Sequence, residues 1–185
     1  SLVDDKHRAW HAGISEWNDY KDINSISIGI ELDFSYDFKN NKFTKEMIFS
    51  LKKLINELKI KYKIKNKNIL GHSDIAPYRK IDPGNKFPWY NLSLINFKNN
   101  KFYKINITSL DKWFHRYNFN SNKRKALFLL KSIGYDVSKA QKNNINLKRL
   151  ICIYQSHYLQ RNISGIIDDK TLSTLKLHML SLLLT

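Results

Sequence analysis

Cysteine is nearly absent. Cys152 is the only one in 185 residues, so no internal disulfide can form, and its setting in the apolar pattern LICIY marks it as a small core residue, silent about redox compartment. Proline is almost as scarce, and all three, Pro77, Pro83 and Pro88, fall in one short stretch. Each fixes φ and removes a backbone donor, which excludes a helix or a central strand there and leaves a stiffened loop. Acid is in short supply too: 16 Asp and Glu stand against 32 Lys and Arg, a net charge of +16. Such an excess suits a polyanionic partner, whether nucleic acid, an anionic membrane surface or an anionic wall polymer. A compositional habit is equally open, because the lysines are spread along the chain. No clustered basic helix or aromatic RNA-binding motif is present, which sets nucleic acid aside. The terminal SLLLT follows an amphipathic helix and is too short to span a bilayer. The opening SLVDDKHRAW is dense in charge, without the cationic start and apolar run of a signal peptide.

What is present centres on residues 69–89, ILGHSDIAPYRKIDPGNKFPW. Long loops of this kind are often functional, and this one carries His72, Asp74, Arg79, Lys80 and Asp82. Upstream, RAWHAGISEW holds Trp10, His11, Gly13 and Trp17 with neither helical nor strand period. It reads as a cleft segment or as core aromatics with a hydrogen-bonded His11. Residues 26–34, ISIGIELDF, alternate as a strand should: Ile26, Ile28, Ile30, Leu32 and Phe34 share one face, and Ser27, Gly29, Glu31 and Asp33 the other. Gly29 leaves room for a close approach beside Glu31. Thr44 is a plausible N-cap for a helix running to about residue 60, with Met47, Ile48, Leu51, Leu54, Ile55 and Leu58 at helical spacing. Residues 68–71 read as a short strand that delivers His72 to its end.

Residues 92–107 give a poor signal. From Asn122 the texture becomes helical: ALFLLKSIGYDV, LKRLICIYQSHYL and DDKTLSTLKLHMLSLLL form three amphipathic helices, with Gly134 as a stop and Asp168 or Asp169 as a start. The change of texture places a domain boundary near residue 118, between residues 1–117 and a small helical domain at 118–185. The fold class expected is α/β, a mixed central sheet flanked by helices, followed by that three-helix domain.

Imidazole and carboxylate are both good zinc ligands, and a catalytic zinc needs three protein ligands and an open position. His72 and Asp82 could supply two of the three, although spacing alone leaves a structural ion pair open as well.

RAWHAG, SIGIEL and GHSDIAPYRKIDPG, in this order and with a helix between the second and third, resemble the bacterial zinc-dependent N-acetylmuramoyl-L-alanine amidases. These are related to phage lysozyme-amidases and animal peptidoglycan recognition proteins. The resemblance covers about residues 1 to 95, and the helical tail resembles a peptidoglycan-binding domain, a combination found in the AmiD-like branch. It implies hydrolysis of the amide between N-acetylmuramic acid and L-alanine, with a non-catalytic peptidoglycan-binding module as the alternative. It further implies Zn2+ held by His72 and Asp82, Glu31 as general base, Lys80 as oxyanion stabiliser, and Trp10, His11 and Arg79 on the substrate side. A supporting role is equally open for His11 and Arg79. The family's first zinc-ligand histidine is expected upstream of residue 1, since none of the six histidines matches its position. Peptidoglycan or muropeptide is the implied partner, with no nucleic acid, membrane contact only through a lipid anchor upstream if one is there, and a monomeric state. The implied location is the periplasm or cell envelope.

Overall fold

Residue Thr44 starts the first long element as its side chain suggests. In the computed structural model, which describes residues 2–33, 43–92 and 101–183, its hydroxyl accepts from the Met47 amide at 3.1 Å and satisfies one of the orphan donors at a helix start. Helix α1, Lys45–Tyr62, follows and closes on Lys63 in the left-handed conformation. Ile48, Leu51 and Ile55, three and four residues apart, form its buried stripe. The stripe packs into a small core with Phe87, Trp89 and Leu92, flanked by Leu32, Phe43 and Ile69. The apolar period of α1 is thus what ties it to the far end of the proline loop.

The expected mixed central sheet is not found. Among the described residues there is no strand, only an isolated antiparallel bridge between Trp17 and Tyr20. Residues 26–33 alternate in the sequence yet lie in irregular chain, with Ile26, Ile28 and Ile30 all exposed; Phe34 is outside the described residues. The segment expected to be a second strand, 68–71, is the end of a 3-10 turn, Asn66–Asn68, and the irregular chain after it. The physical reason is that alternation specifies a face, whereas a strand also needs a neighbouring chain to exchange N–H···O=C bonds with. Neither segment has such a ladder here. The proline loop itself is not wholly irregular either: a single turn, α2, His72–Ile75, fits in just before Pro77.

Further along the chain come α3, Lys101–Arg116; α4, Asn122–Ile133; α5, Ser138–Lys142; α6, Asn144–Tyr158; and α7, Asp169–Leu182. Helix α4 ends at Gly134, and α7 begins at Asp168, whose carboxylate accepts from the Thr171 amide at 2.7 Å. The α3 sequence, KFYKINITSLDKWFHR, is rich in β-branched and aromatic residues of modest helix propensity. Its packing against α7 supplies what local preference does not. Helix α4 also lies on α7, α5 on α6, and α2 on α6.

The main core draws on both halves of the chain. Ala12, Trp17 and Ile23 from the N-terminal segment join Phe114 of α3 and Leu129, Leu130, Tyr135, Leu150, Tyr154 and Leu175 of the helical tail. Trp17 meets Tyr135 edge to face, with ring centroids 5.0 Å apart. Burying an indole of this size contributes several kcal/mol, as the ~3–5 kcal/mol cost of Trp truncation in cores shows. The N-terminal segment and the tail therefore share one apolar interior. No helix among the described residues is long and apolar enough to cross a membrane.

Candidate active site

Helix α2 and the loop after it bring the sequence-predicted groups together. His72 is the first residue of α2, and Asp82 lies ten positions on, just before the cis Asp82–Pro83 bond. The Ser73 amide donates to the Asp82 carbonyl at 2.9 Å, which closes the loop on itself. The His72 Nδ1 then sits 3.0 Å from Asp82 Oδ2, while Nε2 sits 3.0 Å from the Ala12 carbonyl. A carbonyl can only accept, so in the tautomer protonated at Nε2 the ring donates to Ala12. In a neutral ring that leaves the Nδ1 lone pair facing a carboxylate oxygen.

That arrangement is what a metal-ligating histidine shows, with one nitrogen toward the metal position and the other fixed by a backbone carbonyl. His72 and Asp82 therefore fit zinc as two adjacent donors. Among the described residues no three His, Cys, Asp or Glu side chains converge as a metal site, so the pair is a partial donor set.

Arg79 holds the opposite side of the site. Its Nη2 donates to the carbonyls of Ala12 at 2.7 Å and Ile14 at 3.0 Å, and lies 3.4 Å from His72 Nε2. The guanidinium thus pins the WHAG segment against α2. His11 is fixed in turn: Nε2 is 2.8 Å from the Ser27 hydroxyl and Nδ1 is 3.1 Å from the Ala9 carbonyl. Its ring lies so close to Gly29 that a Cβ there would sit 2.7 Å from His11 Cγ. Only glycine fits at that approach, which is the room the sequence suggested. Trp10 is 80% exposed, and the Arg8 guanidinium lies 3.8 Å from the centre of its ring. Glu31 is exposed and Lys80 half-buried. The structure thus brings His72, Asp82, Arg79 and the His11 segment into one network.

Beneath this network Asp74, read from the sequence as a structural or loop-orienting residue, meets two tail partners that sequence reasoning missed, Tyr135 and His157. Asp74, 1% exposed, accepts from the Tyr135 hydroxyl at 2.6 Å, from the His157 ring at 2.8 Å and from the Gly71 amide at 2.7 Å. His157 stacks on Trp89 at 3.6 Å between ring centroids. Burial pushes the Tyr135 hydroxyl well above its usual pKa, and the Asp74 carboxylate adds to that, so the phenol stays a donor. Tyr135 and His157 lie more than sixty residues from Asp74, and no local pattern could have paired them.

Comparison with known proteins identifies the fold family of this site. Residues 1–85 match the Amidase_2 family, N-acetylmuramoyl-L-alanine amidase. The chain is 32% identical to N-acetylmuramoyl-L-alanine amidase AmiD of Escherichia coli (strain K12) over 187 aligned residues, 92% of this chain and 63% of AmiD. It is 46% identical to 1,6-anhydro-N-acetylmuramyl-L-alanine amidase AmpD of Haemophilus influenzae over 83 residues, 44% of each chain. Among solved structures, E. coli AmiD in complex with anhydro-N-acetylmuramic acid-L-Ala-D-gamma-Glu-L-Lys matches 98% of this chain and 71% of its own, with TM-score 0.75 and 29% identity. AmpDh3 of Pseudomonas aeruginosa in complex with anhydromuramic pentapeptide matches with TM-score 0.74 and 29% identity, over 95% of this chain and 70% of its own. The family match is thus confined to the first 85 residues, and the likeness to AmiD continues through the helical tail. The chain spans 63% of the length of AmiD and 44% of that of the AmpD relative.

Proposed function

We propose that this chain hydrolyses the amide bond between N-acetylmuramic acid and L-alanine in peptidoglycan or muropeptides, as a zinc-dependent amidase. The observation that carries the reading is the His72–Asp82 pair, 3.0 Å apart with the second histidine nitrogen on a backbone carbonyl, on a loop inside the family match. His72 and Asp82 would hold the zinc, which when bound polarises a carbonyl and lowers the pKa of water. Glu31 takes the proton from the attacking water and passes it to the departing L-alanine nitrogen. Supporting this role, Glu31 lies two residues beyond Gly29, whose backbone closely approaches the His11 ring. The Lys80 ammonium compensates the negative charge that develops on the carbonyl oxygen in the tetrahedral intermediate. Trp10 offers an exposed indole to the sugar or peptide, His11 lines the same side, and Arg79 holds the backbone between them.

The proposed substrate places the protein in the periplasm or cell envelope, acting as a monomer. The surplus of positive charge suits the carboxylates of peptide stems. A non-catalytic peptidoglycan-binding module is the second reading, favoured by the partial donor set among the described residues. Mass analysis of a muropeptide digest by the full-length protein with zinc separates the two. Free stem peptide is expected, and the Glu31→Gln variant should release about a hundredfold less. Muropeptide binding with no release by the unsubstituted protein would leave the binding module.

A further inference from the structure

The loop that carries His72, Lys80 and Asp82 is held from below by side chains of the helical tail. Arg149, half-buried on α6, donates through Nε to the Pro77 carbonyl at 2.7 Å and through Nη2 to the Lys80 carbonyl at 3.3 Å. Between these two carbonyls the chain makes a tight turn, in which the Arg79 and Lys80 amides both bond to the Ala76 carbonyl, at 3.0 and 2.9 Å. The turn is tied once more through Tyr78, whose hydroxyl donates to the Asp136 carbonyl at 2.8 Å and accepts from the Ala140 amide at 3.2 Å. Further on, Gln160 donates to the Phe87 carbonyl at 2.6 Å. Three tail residues or segments therefore grip successive points of one loop.

The grip by Arg149 differs from the others in what it fixes. Nε and Nη2 lie on one edge of a rigid, planar guanidinium, so the two carbonyls are set at a fixed separation. Lys80 is the second of the two residues so held, and its side chain departs from a backbone position that the fork defines. We propose that Arg149 is a positioning residue for Lys80, so that the helical tail completes the geometry of the candidate site in addition to any role in wall binding. This rests on the reading of Lys80 as the group that stabilises the oxyanion. Charge stabilisation of that kind depends steeply on placement, since a misplacement of about 1 Å can cost on the order of a hundredfold in rate. A lysine at 149 would keep the charge and much of the aliphatic stem, but as a single point donor it could not hold both carbonyls.

The test compares Arg149→Lys and Arg149→Met in the full-length protein with zinc, each alone and combined with Lys80→Met. Both Arg149 variants are expected to lower kcat on muropeptide about tenfold with KM changed by less than about twofold. In the Lys80→Met background the same substitutions should change the residual rate by less than about twofold, because the group they act through is gone. A full loss in both backgrounds, or an unchanged kcat in Arg149→Lys, would overturn the proposal. Amide hydrogen exchange of a peptide covering residues 77–82 gives a second readout that needs no turnover. Exchange there should quicken about tenfold in Arg149→Lys while peptides from α4 and α7 are unchanged, and equal protection in the variant would also overturn it. Should Arg149→Met fail to fold, Arg149→Lys carries both measurements. Absence of stem-peptide release by the unsubstituted protein would sink the amidase reading itself, and the exchange result would still decide whether Arg149 holds the turn.

Discussion

Two buried histidines of the tail, His157 on α6 and His178 on α7, sit in different settings. His157 faces the Asp74 carboxylate at 2.8 Å. His178, 3.4 Å from the Tyr154 hydroxyl, is pushed down to a pKa of about 3 by burial, with His157 adding to the shift and Asp74 opposing it. Its unfolded value is about 6.5. Above that pH the ring is neutral in both states and contributes no slope. As pH falls below it, the unfolded chain takes up a proton that the folded chain refuses, so stability is lost on acidification. The loss is about 1.4 kcal/mol per pH unit, or roughly 2 kcal/mol between pH 7 and pH 5 from this residue. Asp22 and Asp168 also have lowered pKa values, through Arg8 and Thr171 respectively. Their stabilisation is lost only below the ordinary carboxylate range, so it does not enter that window. Urea unfolding at the two pH values should show the loss, and His178→Leu should flatten the slope. An unaltered slope in that variant would assign the effect to other groups.

At the scale of elements, the helices were legible, whereas the sheet read from the sequence is not found among the described residues. Thr44, Gly134 and Asp168 punctuate α1, α4 and α7 where their side-chain chemistry says they should, because a cap is a local bond between neighbours in sequence. The alternation of residues 26–33 is just as clear, but a strand depends on a partner chain that the residues themselves do not encode. What survived from that reading is the space at Gly29, now filled by the His11 ring. That close approach makes a specific prediction. Gly29→Ala should cost about 1–3 kcal/mol, as overpacking does, because His11 is held by Ser27 and Ala9 and cannot swing away freely. In a His11→Gly background the whole side chain is gone, its Cβ included, and the same substitution should be nearly neutral, within about 0.5 kcal/mol. Chemical denaturation of the four proteins measures both steps, and an equal cost in the two backgrounds would place the strain elsewhere. Of the candidate site, the motif led to His72 and Asp82, whose ten-residue spacing is closed by a loop. Arg149, Tyr135 and His157 were invisible because their partners are sixty to eighty residues distant, and contacts of that range leave no period to read.

Across the whole molecule the consequential feature is that residues 1–117 share their main interior with the tail and have only the small core of α1 to themselves. Ala12, Trp17 and Ile23 are buried against α4, α6 and the chain around Tyr135, and the Asp74 carboxylate has two of its three donors in the tail. Lys131 of α4 adds ion pairs to Asp19 and, at 3.5 Å, to Glu16, though exposed pairs of this kind contribute little. Removing residues 118–185 would uncover Trp17 and leave a buried carboxylate short of its donors, and breaking such a buried set costs about 3–5 kcal/mol before any lost apolar burial is counted. Together with the indole, that approaches the ~5–15 kcal/mol that holds a typical domain folded. The 1–117 fragment is therefore expected to lose cooperative unfolding and near-UV circular dichroism, while the intact chain keeps both. Asp74→Asn in the intact chain offers the graded version: it keeps the size of the side chain, weakens the bonds from Tyr135 and His157, and should lower stability by about 1–3 kcal/mol without unfolding the protein. A fragment that unfolds cooperatively by itself, with native-like aromatic dichroism, would show that the small core of α1 with Phe87, Trp89 and Leu92 is enough to hold the loop, and that the tail is an accessory to the site.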